Sequence, residues 1–342
     1  MQKWGVGAAP TYGRYVEIVG IAQKWLRFSN VTEGTKVLIN ADTRKNKNVV
    51  DAFFAAAIAV GAEVSLMISP PRMRMFSEQP SMVIDAAKRA DVVIDLITVS
   101  HVYTQSTVDI LSSGTRILAL YHDEDDIIRL QPLEEIAGRV KQVGQMVNEC
   151  KEMRFVTTAG TDLTMDTSGR AVLANYVSEH PGSWTTIMLA SVVSTAVEES
   201  VNGRLVLAAG DKLGKLHRSV REPIHAEVRE GRLEHIEGGE DARLLSEWFS
   251  SWDDPNIYIF AHMGIGCDPR ASRNDDPQYF LDWESIYGSV TCAFGSNFPL
   301  GGKTRAKSHH DLVLLDPDVY FDGKPIIKGG EFVDPALRVS EA

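Results

Sequence analysis

The pattern of hydrophobic and polar residues changes at about residue 130. In the first region, short apolar runs alternate with segments of helical periodicity. An apolar stripe over 46–60 predicts a helix that ends at Gly61. Four short runs predict buried strands, at 36–40, 63–68, 91–97 and 115–121. Strands separated by helices of this length predict a Rossmann-like α/β domain with a parallel sheet.

The second region begins with apolar residues at helical spacing over 131–153, which predict one amphipathic helix bridging two domains. From residue 154 onward, short strand patterns separated by turns predict a mostly antiparallel α+β domain with a few helices. The clearest patterns are a hairpin at 154–165, strands at 204–208, 224–228, 232–236, 256–261 and 311–315, a helix at 240–252, and a hairpin turn at Asp322-Gly323. The predicted division is therefore 1–130, 131–153 and 154–342.

Composition narrows the class of protein. A chain of 342 residues favours two domains, and its net charge of -11 argues against nucleic acid as a partner. The three cysteines have no CxxC spacing, so neither a disulfide scaffold nor a zinc knuckle is expected. The first residues do not resemble a signal peptide, and no apolar run has the length of a membrane span. We therefore expect a cytoplasmic protein that does not contact membranes.

Candidate metal ligands occur where strands begin or end. His309 and Asp311 introduce an apolar run, and on a strand two residues at this spacing point to the same side. His262 follows the strand pattern at 256–261 and has Gly264 and Gly266 nearby, so it is the candidate third ligand. Two histidines and one carboxylate suit non-haem iron(II) with open positions. The alternatives are a surface hydrogen-bonded pair for His309 and Asp311, and a turn-capping histidine for His262.

Other polar residues are weaker candidates. His101 follows the run 91–100, where the carboxyl end of a parallel strand places ligand-binding groups, and a histidine there can act as a general base. The alternative is an exposed loop histidine. Ser183 and Ser296 lie in glycine-containing segments and could donate hydroxyls to a ligand, although ordinary polar turns explain both. His180, Ser183 and Arg270 are candidates for gripping a substrate.

The C-terminal half resembles the aminopeptidase T family of metallopeptidases. The likeness covers about 150–342 and rests on four segments: EESVNGRLV from Glu198, MGIGCDP from Met263, AFGSN from Ala293, and HHD from His309 followed by VYFDGKPI. The departures are informative, because that family has a two-metal site with several carboxylates. Here His262 stands where a glutamate is expected, and Thr291 and Cys292 stand where a histidine is expected. His309 and Asp311 are retained.

This altered set resembles the 2,5-dihydroxypyridine 5,6-dioxygenase family, which shares the aminopeptidase-like fold. The resemblance implies a mononuclear iron(II) enzyme that uses O₂ to convert 2,5-dihydroxypyridine to N-formylmaleamic acid in nicotinate degradation. It implies His262, His309 and Asp311 as metal ligands, Ser296 as a further oxygen ligand or a neighbour of the ligands, and His101 as the base. It also implies a homo-oligomer. The alternatives are a metal-dependent aminopeptidase and a non-catalytic relative that binds a ligand.

Overall fold

The computed structural model describes residues 11–176, 178, 180–275 and 277–339. The chain forms two compact units. The first comprises the residues up to Leu133 and a returning segment, Val177–Met188, and the second comprises Glu134–Tyr176 and Leu189–Ala342. The contiguous division predicted from the sequence does not include this return. Its short strand offers too little pattern to be assigned to a distant sheet.

The first unit contains a five-stranded parallel sheet, in the order β2-β1-β3-β4-β8. The four strands predicted from the sequence are confirmed, and the returning segment adds the fifth next to β4. The strands are β1 (Lys36–Asp42), β2 (Glu63–Ser69), β3 (Val92–Leu96), β4 (Arg116–Ala119) and β8 (Trp184–Thr186). Leu38, Val93, Ile117 and Trp184 share one buried apolar cluster, so the return also completes the core of the sheet.

In the described part of this unit, five α-helices accompany the sheet: α1 (Thr11–Phe28), α2 (Lys47–Ala59), α3 (Ser81–Ala87), α4 (Gln105–Ser112) and α5 (Glu124–Arg129). The helix predicted over 46–60 is confirmed as α2. It begins where the Asn46 side chain accepts a hydrogen bond from the Asn48 N–H, and it buries the stripe containing Val49 and Phe53. Gly61 follows it with φ +81°, a left-handed conformation that glycine adopts without a steric cost.

The second unit contains two antiparallel sheets, as the sequence predicts. One has eight strands in the order β14-β13-β10-β6-β5-β18-β19-β20, and the other has seven in the order β12-β11-β17-β16-β15-β9-β7. The strands are β5 (Glu152–Val156), β6 (Asp162–Asp166), β7 (Val172–Ala174), β9 (Ser191–Ser194), β10 (Asn202–Leu207), β11 (Lys212–Leu213), β12 (Arg218–Ser219), β13 (Ile224–Arg229), β14 (Arg232–Gly238), β15 (Phe260–Gly266), β16 (Val290–Gly295), β17 (His309–Leu314), β18 (Asp318–Phe321), β19 (Lys324–Lys328) and β20 (Glu331–Phe332).

Among the described residues of this unit, two segments form α-helices, α6 (Glu134–Glu149) and α7 (Glu240–Ser250). The amphipathic pattern over 131–153 corresponds to α6, which begins at the boundary of the second unit. It buries Ile136, Val140 and Val143, and these residues recur at helical spacing. The helix predicted over 240–252 is confirmed as α7.

The strand predicted over 256–261 is wrong. Pro255–Tyr258 forms a 3-10 helix, and the following strand, β15, begins only at Phe260. The Asp254 side chain accepts a hydrogen bond from the Asn256 N–H, and Pro255 occupies the first turn, where its fixed φ and missing N–H suit a helix start. These local signals outweigh the apolar pattern. His262 therefore lies inside a strand rather than beyond its end.

In the part of the chain that the structure describes, no helix combines the length and the apolar character needed to cross a membrane. The three cysteines, Cys150, Cys267 and Cys292, are all free and buried.

Candidate metal centre

Three adjacent strands of the seven-stranded sheet position the candidate ligands. His262 on β15 and Asp311 on β17 both pair directly with Ala293 on the strand between them, β16. Directly paired residues of antiparallel strands project to the same face. His309 has the same parity as Asp311 on β17, so it projects to that face as well. The short side chain of Ala293 leaves room between the two larger residues that flank it.

Gly295 provides the room beside His309, with which it pairs. Its φ is +109°, and a Cβ at this position would lie 2.3 Å from the Ser308 carbonyl oxygen. Only glycine therefore fits where β16 passes β17 next to His309. The Ala-Phe-Gly segment at 293–295 thus alternates small residues beneath the triad with Phe294, which pairs with His310.

The three side chains converge on one small volume. His262 Nε2 lies 3.0 Å from His309 Nε2, and His309 Nε2 lies 3.0 Å from Asp311 Oδ1. His262 Nε2 lies 3.5 Å from the same carboxylate oxygen. Ligands about 2 Å from a shared ion, with angles near 90° between them, have separations of about 3 Å. His262, His309 and Asp311, called the triad below, could therefore hold one ion on one face of its coordination sphere.

The protonation pattern of the triad also fits a cation. The Nδ1 atom of His309 lies 2.9 Å from the Ser296 carbonyl oxygen, which can only accept a hydrogen bond. A neutral ring that donates from Nδ1 keeps Nε2 unprotonated, with its lone pair aimed into the triad. Burial lowers the pKa of His262 to about 3, so this ring is neutral at neutral pH. Burial raises the pKa of Asp311, but neighbouring groups, the Lys215 ammonium among them, lower it overall, so Asp311 is an ionised carboxylate.

Two further ionisable residues influence the triad electrostatically and were not singled out from the sequence. The Lys215 ammonium lies 3.7 Å from Asp311 Oδ2. Burial and the charge of Asp311 raise the pKa of Glu284 to about 8. Gly214 brings Lys215 close, because a Cβ at Gly214 would lie 2.8 Å from the Asp311 carbonyl oxygen. Neither residue lies in a motif, so no sequence signal pointed to them.

Of the other sequence candidates in the second unit, Ser296 contacts the triad through its backbone. Its carbonyl oxygen holds His309, whereas its hydroxyl lies 3.5 Å from the Thr304 carbonyl oxygen. The Arg270 guanidinium pairs with the buried Asp268 at 2.8 and 3.0 Å. Arg270 is therefore held by a neighbouring carboxylate, which limits its freedom to turn towards a ligand.

The remaining candidates lie in the first unit. His101 is five residues beyond the end of β3 and is buried. Its Nε2 lies 2.6 Å from Asp95 Oδ2, and its Nδ1 lies 2.8 Å from the Thr107 hydroxyl. The alternative of an exposed loop histidine is thus wrong. Ser183 donates a hydrogen bond to the carbonyl oxygen of the exposed His180, so these two residues form a local turn.

Two solved structures of similar fold show the fold class of this chain. A solved structure of AmpT from Thermus thermophilus matches 93% of this chain and 99% of its own, with a TM-score of 0.64 and 12% identity. A solved structure of the 2,5-dihydroxypyridine dioxygenase from Pseudomonas putida KT2440 matches 94% of this chain and 99% of its own, with a TM-score of 0.87 and 24% identity. The fold is therefore aminopeptidase T-like, as the sequence predicts.

The family follows from the sequence comparisons. The family model described as NicX, 2,5-dihydroxypyridine 5,6-dioxygenase, matches residues 17–334. The curated 2,5-dihydroxypyridine 5,6-dioxygenase of Pseudomonas putida KT2440 is 29% identical over 259 residues, which are 73% of each chain. The chain belongs to the 2,5-dihydroxypyridine 5,6-dioxygenase family and is an enzyme of the dioxygenase class. The aminopeptidase alternative has support only in a distant likeness of fold.

Proposed function

We propose that this enzyme opens the ring of 2,5-dihydroxypyridine between C5 and C6 with O₂, yielding N-formylmaleamic acid. The observation that carries the proposal is the convergence of His262, His309 and Asp311 within 3.5 Å in a chain of this family. As part of the same proposal, the enzyme works in the cytoplasm as a homo-oligomer.

The proposed cofactor is a single iron(II) ion held by the triad. Two imidazoles and one carboxylate on one face are the donor set of mononuclear non-haem iron oxygenases. A bound iron(II) ion, held by His262, His309 and Asp311, would orient the substrate and O₂ and would supply the electron-transfer chemistry of ring cleavage. One carboxylate gives this site too little negative charge to hold two divalent ions close together. This donor set therefore favours the dioxygenase over a two-metal peptidase.

Two neighbours of the triad orient one of its ligands and add positive charge beside it. The Ser296 carbonyl oxygen fixes the His309 ring, so that its Nε2 is presented as a lone pair. The Lys215 ammonium beside Asp311 adds positive charge at the edge of the site, where it favours the anionic form of a hydroxylated ring. We propose Lys215 as a group that stabilises this oxyanion.

His101 is the proposed general base, a role that rests on the family resemblance. The Asp95 carboxylate next to its Nε2 stabilises the imidazolium that forms when the ring takes up a proton. Asn40 Nδ2 donates to the other oxygen of Asp95 at 2.7 Å and fixes the carboxylate. Both ring nitrogens are engaged, but the Thr107 hydroxyl next to Nδ1 can accept a hydrogen bond as well as donate one, so the protonated ring can keep both contacts.

An oxygen electrode tests this proposal directly. Protein reconstituted with iron(II) under anaerobic conditions is mixed with 2,5-dihydroxypyridine in aerated buffer. We expect one O₂ to be consumed per substrate and both of its oxygen atoms to appear in the product by mass spectrometry. The matched control is 2-hydroxypyridine, which lacks the second hydroxyl and is expected to give no oxygen uptake. Absence of uptake with 2,5-dihydroxypyridine contradicts the proposed function.

A further inference from the structure

Asn297 is a fully buried residue that follows β16, one position after Ser296. Its side-chain amide bonds to three separate segments of the second unit. Nδ2 donates to the Ala261 carbonyl oxygen at 3.0 Å and to Glu198 Oε1 at 3.2 Å. Oδ1 accepts from the Thr304 N–H at 2.8 Å. All the hydrogen-bonding groups of this amide are therefore used within the fold.

One of these contacts, to Ala261, and the position of Asn297 directly after Ser296 both adjoin candidate metal ligands. Ala261 immediately precedes His262 on β15, and Ser296, the residue before Asn297, holds His309 Nδ1 through its carbonyl oxygen. One buried amide thus ties the backbone beside the first imidazole to the residue that orients the second. We infer that Asn297 is a positioning residue of the metal centre, which sets the spacing of His262 and His309. The inference rests on the proposed metal site.

Glu198 holds the Asn297 side chain and the loop that follows it in place. Its Oε1 accepts from the Lys303 N–H at 2.7 Å as well as from Asn297, and its Oε2 pairs with Arg170. Arg170 also donates to the Gly301 carbonyl oxygen at 3.1 Å. The carboxylate is buried and fully paired, so it holds the loop after β16 against the 3-10 helix Glu198–Ser200. Asn297, Glu198 and Arg170 together are called the clamp below.

Gly302 shows how closely the loop packs on the clamp. A Cβ at this position would lie 2.1 Å from Asn297 Cγ, and its φ is not in the left-handed region. Space rather than backbone conformation therefore requires glycine here. Glu198 and Asn297 belong to two of the segments that carry the family resemblance, EESVNGRLV and AFGSN. Neither residue is a candidate metal ligand, and the clamp gives both a structural role.

The test measures metal binding apart from catalysis. Iron(II) affinity is determined anaerobically by competition with a chelator, and the thermal midpoint of each metal-free protein is recorded alongside. The variants are Asn297→Ala, Gly302→Ala and Glu198→Gln. The matched control is Thr161→Val in the same unit, which removes a buried hydroxyl that bonds the backbone of Val206 at 2.7 and 2.9 Å, away from the triad.

We expect Asn297→Ala and Gly302→Ala to weaken iron(II) binding by about 10–100-fold and Glu198→Gln by less, with Thr161→Val within about twofold of wild type. Affinity in the clamp variants that equals wild type, or that falls no further than in Thr161→Val at a similar thermal midpoint, overturns the inference. If Asn297→Ala does not fold, the other two clamp variants decide. A wild-type protein that binds no iron(II) contradicts the proposed function itself and thereby also removes the basis of the inference.

Discussion

The Nε2 atoms of His262 and His309 lie 3.0 Å apart although 47 positions separate the residues in sequence. Two neutral imidazole nitrogens come this close when they share a proton or a cation. The Nδ1 atom of His309 is engaged by the Ser296 carbonyl oxygen. A carboxylate oxygen of Asp311 lies 3.0 Å from His309 Nε2. The two strands therefore converge on a position for a positive charge.

The next residue on β17 provides a matched comparison. His310 is also fully buried, but it projects to the opposite face of the sheet, where its ring lies 4.3 Å from that of Trp248. We expect His309→Ala to lose iron and turnover together, with affinity at least about 100-fold weaker. His310→Phe keeps the aromatic packing and is expected to retain iron. Metal content after anaerobic dialysis checks both, and iron retained at the wild-type level by His309→Ala would refute the ligand assignment.

Lys215 is expected to act on the reaction rather than on metal retention. Its ammonium lies 3.7 Å from Asp311 Oδ2, and the residue is not a metal ligand. We predict that Lys215→Met lowers kcat/KM for 2,5-dihydroxypyridine by on the order of 10²-fold, because a positive charge near the developing oxyanion is lost. Lys215→Arg keeps the charge and is expected to recover part of the loss. Steady-state kinetics with measured iron content test this, and unchanged kinetics in Lys215→Met would exclude the role.

His101 is expected to contribute to turnover without contributing to metal content. We predict that His101→Gln lowers kcat by about 10²–10⁴-fold, the usual contribution of a general base. Another buried histidine of the same unit, His122, has no hydrogen-bond partner for its ring and serves as the control in His122→Gln. Kinetics on iron-loaded proteins make the comparison. If both variants lose activity only in proportion to their loss of stability, His101 is structural and not a base.

Lys45 predicts a pH dependence of stability. It is buried, and its Nζ donates to the carbonyl oxygens of Leu120 and His122 at 3.0 Å each. Burial lowers the pKa of Lys45 from 10.5 to about 8, against the raising effect of Asp123 and Asp42. The folded state thus disfavours the charged form, so ionised Lys45 costs stability at every pH below about 8. This cost disappears as pH rises from about 8 to 10.5.

Across that interval, the free energy of unfolding of the wild type should rise by about 3 kcal/mol relative to Lys45→Met. The control is Lys47→Met, which changes a lysine with 84% side-chain exposure. Urea unfolding at several pH values measures the differences. A constant difference between wild type and Lys45→Met from pH 8 to pH 10.5 would show that the buried lysine does not titrate there.

The sequence predicted the elements with strong periodicity and the ligands with strand spacing. The alternation in β17 places His309 and Asp311 on one face from the sequence alone, and the four buried runs of the first unit correspond to β1 to β4. The strand prediction for 256–261 is wrong because Asp254-Pro255 also favours a helix start, and only tertiary packing decides between the helix and the strand.

Residues that act through long-range contacts were not predictable from the sequence. Asn297 bonds across 99 positions to Glu198 and across 36 to Ala261, and no local pattern encodes such a pairing. Lys215 reaches Asp311 because Gly214 allows close approach of two backbones. The strand β8 joins the first sheet from a segment that lies beyond α6 in the chain. Each of these depends on tertiary packing, which a single sequence does not display.

The most direct test of the whole account is the number of iron(II) ions that the purified chain binds. Metal-free protein is titrated anaerobically with iron(II), and bound metal is measured for the wild type and for His262→Ala, His309→Ala and Asp311→Ala. We predict one ion per wild-type chain and none retained by the three variants after dialysis. Two ions per chain, or one ion retained in all three variants, would contradict a single iron centre built from these side chains.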